Sequence, residues 1–160
     1  MSDLHKKRAR KESFVLVVSF TIDGEEYGVD ILSVQEIFRM PLLTRLPNTP
    51  EYVDGMISLQ GKNVPVVNLR RRFGLPRGQW DNNARLIVVE WSEKQLGFMV
   101  EKLQDIVRVA VSEMKHTVPF PGEVKADYVS AFTKTKGRRL NLLDMEKVFR
   151  YEAALLNQAG

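Results

Sequence analysis

The side chains that do chemistry are scarce in this chain. It holds two histidines, His5 and His116, and no cysteine. The missing cysteines remove thiol nucleophiles, disulfides and thiolate metal sites, and two distant histidines give too few ligands for a histidine–carboxylate metal centre. A Ser–His–Asp arrangement would leave His116 as the sole base, and no nucleophile-elbow turn accompanies it. "GEEYG" lacks the glycine spacing and strand-to-helix setting of a dinucleotide site, and no glycine-rich phosphate loop ending in Lys-Ser or Lys-Thr occurs. No catalytic constellation and no cofactor site are expected from these residues, which point to binding and leave an enzyme using His116 as an alternative.

The charged clusters suggest binding more than catalysis. Glu25 and Glu26 flank a turn and read as solvated. Glu36 and Asp105 stand at matching places of two similar phrases, which duplication explains without paired acid–base catalysis, and read as surface acids. "RRR" at Arg70–Arg72 and "KTKGRR" at Lys134–Arg139 could meet phosphates, but they lack the interleaved aromatics of a stacking platform. Successive helical residues point about 100° apart, so Arg70–Arg72 form no single stripe. A solvated helix surface is expected there, with an acidic protein partner as the next reading.

The overall charge leads to the same view. Of the net +4, residues 1–12 supply five basic and two acidic side chains, a net of +3. That stretch reads as a disordered basic tail, and the remaining chain is close to neutral. No apolar run approaches the roughly 20 residues that cross a bilayer, and no signal peptide is read. The absence of cysteine fits a cytosolic chain.

Short runs rich in Val, Ile, Phe and Trp carry the scaffold: Phe14–Ile22, Met56–Leu59, Val64–Val67 and Arg85–Trp91. Asp23–Gly24 is a hairpin signal, because both residues tolerate positive φ. "QGKN" and "KTKG" look like matching turns. Asn68 can cap a short helix "LRRRF" stopped by Gly74, with Leu69 and Phe73 on one face. Asp144 can cap a longer helix in which Met145, Val148, Phe149, Glu152 and Leu156 lie near one face.

The chain also repeats itself. "VQEIFR" (34–39) falls on "LQDIVR" (103–108) when Gly28 is aligned with Gly97, an offset of 69. Tyr52–Phe73 falls on Tyr128–Phe149 with an offset of 76, so a seven-residue insertion in the second copy accounts for the difference. An internal duplication follows, with copies at about 14–74 and 84–150, each expected to close into a small β-barrel. "IFRMPLL" (37–43) reads as either a buried connection or an exposed partner segment.

Three blocks in order, "FTIDGEEYGVDILSVQEI", "TRLPNTPEYVDGMISLQGKNVPVVNLRRRFG" and "ARLIVVEWSEKQLGFMVEKLQDIVRV", resemble the CheW family of bacterial chemotaxis coupling proteins. The resemblance covers Phe14 to Val148. It implies an all-β fold of two five-stranded SH3-like barrels around a shared core, with a short helix after each copy. It implies a cytoplasmic adaptor that joins chemoreceptor tips to the regulatory domain of a CheA-type histidine kinase, at receptor arrays. Nucleic acid and direct membrane insertion are not among the expected partners. Carried over by position, the partner-binding residues are Val34, Glu36, Ile37, Gly55, Gln60 and Gly61, with Gly97, Leu103 and Ile106 in the second copy. The three glycines are expected to serve backbone geometry. Many members have Leu-Arg-Gly where this chain has Leu59-Gln60-Gly61, which bears on partner identity and admits a non-motility chemosensory pathway. A small nucleic-acid-binding barrel is the remaining alternative, favoured only by the basic tail and the arginine clusters.

Overall fold

Four two-residue turns set the local strand pairing. Asp23–Gly24, Gln60–Gly61, Ser92–Glu93 and Lys136–Gly137 have positive φ at both residues, the backbone whose twist matches two antiparallel strands. Three of them use the glycine that marks a turn in sequence; Ser92–Glu93 makes the same turn without one. They join β1 (Phe14–Ile22) to β2 (Glu25–Asp30) and β4 (Val53–Leu59) to β5 (Lys62–Val67). They likewise join β6 (Arg85–Trp91) to β7 (Lys94–Val100) and β9 (Val129–Thr135) to β10 (Arg138–Leu143). β3 (Val34–Phe38) follows the first of these hairpins and β8 (Lys102–Ala110) the third. This computed structural model describes residues 13–39, 43–45, 47–117 and 120–149. The basic tail, the centre of "IFRMPLL", and Glu152 and Leu156 of the last helix lie outside the described residues.

The strands form two five-stranded sheets, ordered β8-β1-β2-β10-β9 and β3-β6-β7-β5-β4. The all-β, SH3-like architecture expected of the family is present. The assignment of one barrel to each copy is not. Both sheets draw strands from both halves of the chain, and the central β2–β10 and β5–β7 pairs are parallel. The exchange takes place at the exits of the hairpins. After β2 the chain enters a 3₁₀ turn over Ile31–Ser33, where the Asp30 carboxylate accepts the Leu32 N–H at 2.9 Å. That turn carries β3 away from its own hairpin and onto β6. After β7, Glu101 accepts the Asp23 N–H with both carboxylate oxygens, at 2.9 and 3.0 Å, as the chain crosses to β8 and pairs with β1.

Both sheets bury one face in a common core. Phe20, Ile22 and Tyr27 from the first sheet pack with Val67, Ile87, Leu96 and Phe98 from the second. Phe20 meets Phe98 with ring centroids 5.6 Å apart, and Phe73 bridges Tyr27 at 5.2 Å and Tyr128 at 5.7 Å. Each such side chain contributes about 1.5–3 kcal/mol by its burial, so separating the sheets would be expensive.

The helix α1 (Leu69–Arg72) is placed as the sequence suggests: the Asn68 side chain accepts the Arg71 N–H at 3.2 Å, and Leu69 and Phe73 are buried. Asp144 caps the second helix, described over 145–149, through the Lys147 N–H at 3.2 Å. The arginines of α1 correct the expectation of a solvated surface. Arg70 pairs with Glu101 at 2.6 Å, and Arg71 pairs with Glu51. Arg72 is buried, its guanidinium 4.1 Å from the Tyr52 ring centroid and 5.2 Å from that of Tyr128. Three neighbours pointing different ways serve three separate contacts. Replacing Arg72 by Met, which keeps the apolar stem and loses the charge over both rings, is expected to cost about 1–3 kcal/mol. Urea unfolding checks this, and an unchanged midpoint would mean that the rings gain nothing from the cation.

The Glu25–Glu26 pair also departs from its solvated reading. Glu26 is buried and faces Arg138 at 3.3 Å, while Glu25 accepts from Lys125 at 2.9 Å and from the Tyr27 hydroxyl at 3.1 Å. Burial pushes the Tyr27 phenol well above its ordinary range, and the adjacent Glu25 carboxylate adds to the shift. Tyr27 therefore stays neutral and donating throughout the physiological range.

Candidate functional site

The repeated phrase lines both walls of one groove. Val34, Gln35, Glu36 and Ile37 of β3 stand on one side, and Leu103, Gln104, Asp105 and Ile106 of β8 on the other. The four residues on each side are counterparts in the two copies. Val18 and Ser19 of β1 and Ile31 complete a mostly apolar trough of about 570 Å³. β3 and β8 are the edge strands of their two sheets, so the groove exists only because the chain exchanges them.

A β-bulge shapes each wall. In the β3–β6 ladder Val34 opposes Val89 and Glu36 opposes Val88, leaving Gln35 as the extra residue. In the β1–β8 ladder Ser19 opposes Asp105 and Phe20 opposes Leu103, leaving Gln104 as the extra residue. A bulge bends the strand, raises its twist and re-aims the side chains that follow. Here it lets a polar residue, an acid and an isoleucine stand in sequence along an edge that still offers apolar surface. Ile37 and Ile106 are 38% and 55% exposed and add apolar surface to the two walls.

The two acids differ. Asp105 turns back to accept the Ile106 N–H at 2.8 Å, satisfying a donor on the open edge of β8. The Glu36 carboxylate has no hydrogen bond or ion pair among the described residues, and the residue is exposed. Gln35 is held from outside the groove, donating to Glu90 and accepting from Gln95. One wall presents a free carboxylate and the other a tethered one.

The structure thus gathers Val34, Glu36, Ile37, Leu103 and Ile106, and leaves the other four candidates elsewhere. Gln60 and Gly61 form the exposed β4–β5 turn at the far end of the second sheet. Gly55 and Gly97 are buried. Gly97 lies where β7 runs parallel to β5, and a Cβ there would sit 3.2 Å from Leu86 Cδ1; it serves the packing of two strands. Gln35, Gln104 and Asp105 belong to the groove and are missing from the carried-over set. The repeat itself was the signal for them, because residues copied with the phrase share its placement. Among the described residues no group of three or more His, Asp or Glu could hold a metal ion, and no helix is long and apolar enough to cross a membrane.

Residues 16–153 match the CheW-like domain. The chain belongs to the CheW-like family. It is 31% identical to the chemotaxis protein CheW of Klebsiella aerogenes over 137 residues, spanning 86% of this chain and 82% of that protein. The chemotaxis protein CheW of Bacillus subtilis is 28% identical over 141 residues, spanning 86% and 88%. The crystal structure of the scaffolding protein TtCheW from Thermoanaerobacter tengcongensis superposes with a TM-score of 0.76 at 26% identity, covering 82% of this chain and 90% of that one. The CheW-like match takes in both groove walls and the Gln60–Gly61 turn, so the groove lies within the shared domain.

Proposed function

We propose that this chain is a chemotaxis adaptor that works by binding and not by turnover, holding chemoreceptor tips and a CheA-type histidine kinase in one cytoplasmic array. The groove is the observation that carries this reading. Its two walls of edge strand lie beside an apolar floor, and a trough of that shape accepts the apolar face of a helix. Receptor tips would dock there, with Val34, Ile37, Leu103 and Ile106 supplying apolar contact and Glu36 selecting for a cation on the partner. The kinase regulatory domain, which shares this fold, would dock at the end of the second barrel that carries Gln60 and Gly61. Gly55 and Gly97 would act on both surfaces from beneath. Two partners on separate surfaces of one rigid body let the state of one bias the other through shared geometry.

An internal duplication accounts for the two matching walls. Adding 76 to the bounds of β4 and β5 gives those of β9 and β10. Copying one bulged strand and exchanging it between barrels yields a two-sided groove from a one-sided element.

The test mixes the purified chain with a receptor cytoplasmic tip and, separately, with a CheA-type regulatory domain, followed by size-exclusion chromatography. Co-elution with each is expected. A folded chain that binds neither, with several cognate candidates tried, would overturn the proposal.

A further inference from the structure

We propose that residues 1–12, the basic stretch that runs into β1, dock in the groove of their own chain and compete there with its partner. The contact stands on the geometry and charge around the start of β1; the competition rests on the reading of the groove as the receptor site. β1 supplies the groove floor through Val18 and Ser19. Val18 is four residues beyond Phe14, about 13 Å along a strand, and twelve extended residues reach up to about 40 Å. The stretch can therefore turn back along β1 and cross the trough. The surface on that route is apolar and uncovered. Phe14 and Leu16 alternate onto the face of β1 that carries Val18, and they are 44% and 46% exposed. Val15 and Val17 take the opposite face, with Val109 and Leu140. The Ser13 carbonyl accepts the Val111 N–H at 2.9 Å, which fixes where the stretch begins.

Charge selects the same occupant. The stretch carries Lys6, Lys7, Arg8, Arg10 and Lys11 against Asp3 and Glu12. The groove lining holds Glu36 and Asp105 and no lysine or arginine. Two further acids flank the route, Asp30 opposite Val17 and Glu113 in the 3₁₀ turn Val111–Glu113. Both are exposed and have no ion pair among the described residues. Arg108, the next cation along β8, lies over the Phe14 ring, 3.8 Å from its centroid. Lysine and arginine lay their stems on apolar surface while their heads reach for water or a carboxylate, which suits a trough that is apolar between acids. The tether favours this chain's own stretch over a free cationic peptide. A segment held within about 40 Å of its site has an effective concentration in the millimolar range, so contacts too weak to hold a free peptide fill the groove from within.

The experiment uses the full chain with Ser2→Cys, its sole cysteine, carrying a nitroxide, and reads the broadening of backbone amide signals by nuclear magnetic resonance. A second full chain adds Lys6→Gln, Lys7→Gln, Arg8→Gln, Arg10→Gln and Lys11→Gln and gives the baseline of an uncharged stretch. At about 50 mM salt, signals of residues 34–37 and 103–106 should broaden about twofold or more beyond that baseline, and the excess should vanish at about 500 mM. Signals of Gln60 and Gly61 should be alike in both chains, and Glu36→Gln should reduce the excess in the groove. Equal broadening of the groove by the two stretches, an excess that survives high salt, or one passed to an unlabelled copy mixed in would overturn the proposal. In isothermal titration the uncharged stretch should strengthen receptor-tip binding by about 3- to 10-fold, the gain from opening a groove that is free in about a third to a tenth of molecules. Equal affinities beside a clear excess would overturn the competition. A tip that binds neither chain counts against the receptor reading, and the broadening still decides the docking.

Discussion

Replacing Ile106 by Glu is expected to weaken binding of a receptor tip by about 30- to 1000-fold, the range of a central contact worth 2–4 kcal/mol. Ile106 is more than half exposed on β8, so little of its side chain supports the core and the melting temperature should stay within about 2 °C. The new carboxylate joins Glu36 and Asp105 in a trough that is otherwise apolar. An apolar partner face would have to leave it desolvated and unpaired. Ile106→Val is the matching control, removing one methyl group and costing less than tenfold. Isothermal titration with a receptor tip decides the matter, and equal affinity for the unaltered chain and Ile106→Glu would place the receptor somewhere else. The kinase regulatory domain, proposed to dock at the far end of the second sheet, should bind all three proteins alike.

Gly55→Ala is expected to lower folding stability by about 3 kcal/mol or more, the sum of an unfavourable backbone and a steric clash. Gly55 adopts φ +150°, and an added Cβ would lie 2.5 Å from the Thr44 carbonyl oxygen. That oxygen cannot simply withdraw. It accepts the Met56 N–H at 2.7 Å while the Thr44 N–H donates to the Met56 carbonyl at 2.9 Å, holding the incoming segment against β4. Gly61→Ala separates the two causes. Gly61 also has positive φ, +78°, but nothing lies within 4 Å of its added Cβ, so only the backbone term of about 1–2 kcal/mol remains. Urea denaturation of both variants provides the comparison. Equal losses would mean that the close approach at Thr44 is relieved without effect.

The helix caps and hairpins were legible because they are local. Asp23–Gly24, Gln60–Gly61 and Lys136–Gly137 fix turn type and immediate register within a few residues. Asn68 and Asp144 cap the helices that follow them by bonds spanning three residues. The candidate site was half legible. The repeat of "VQEI" and "LQDI" named the residues of both walls, and the family resemblance added an expected partner-binding role for five of them. Neither could say that the two phrases face each other. Arg72 was misread for a related reason: a run of three arginines carries no mark of which one will point inward between Tyr52 and Tyr128.

By itself the sequence determined that this chain builds paired β-hairpins from two similar halves. The tertiary structure alone decided that β3 and β8 change partners. Pairings such as β1 with β8 and β3 with β6 join residues far apart in the chain, where no turn dictates the neighbour. Those choices are made by burying Phe20, Tyr27, Ile87 and Phe98 together in one core. The edges left open by that packing are the walls of the groove.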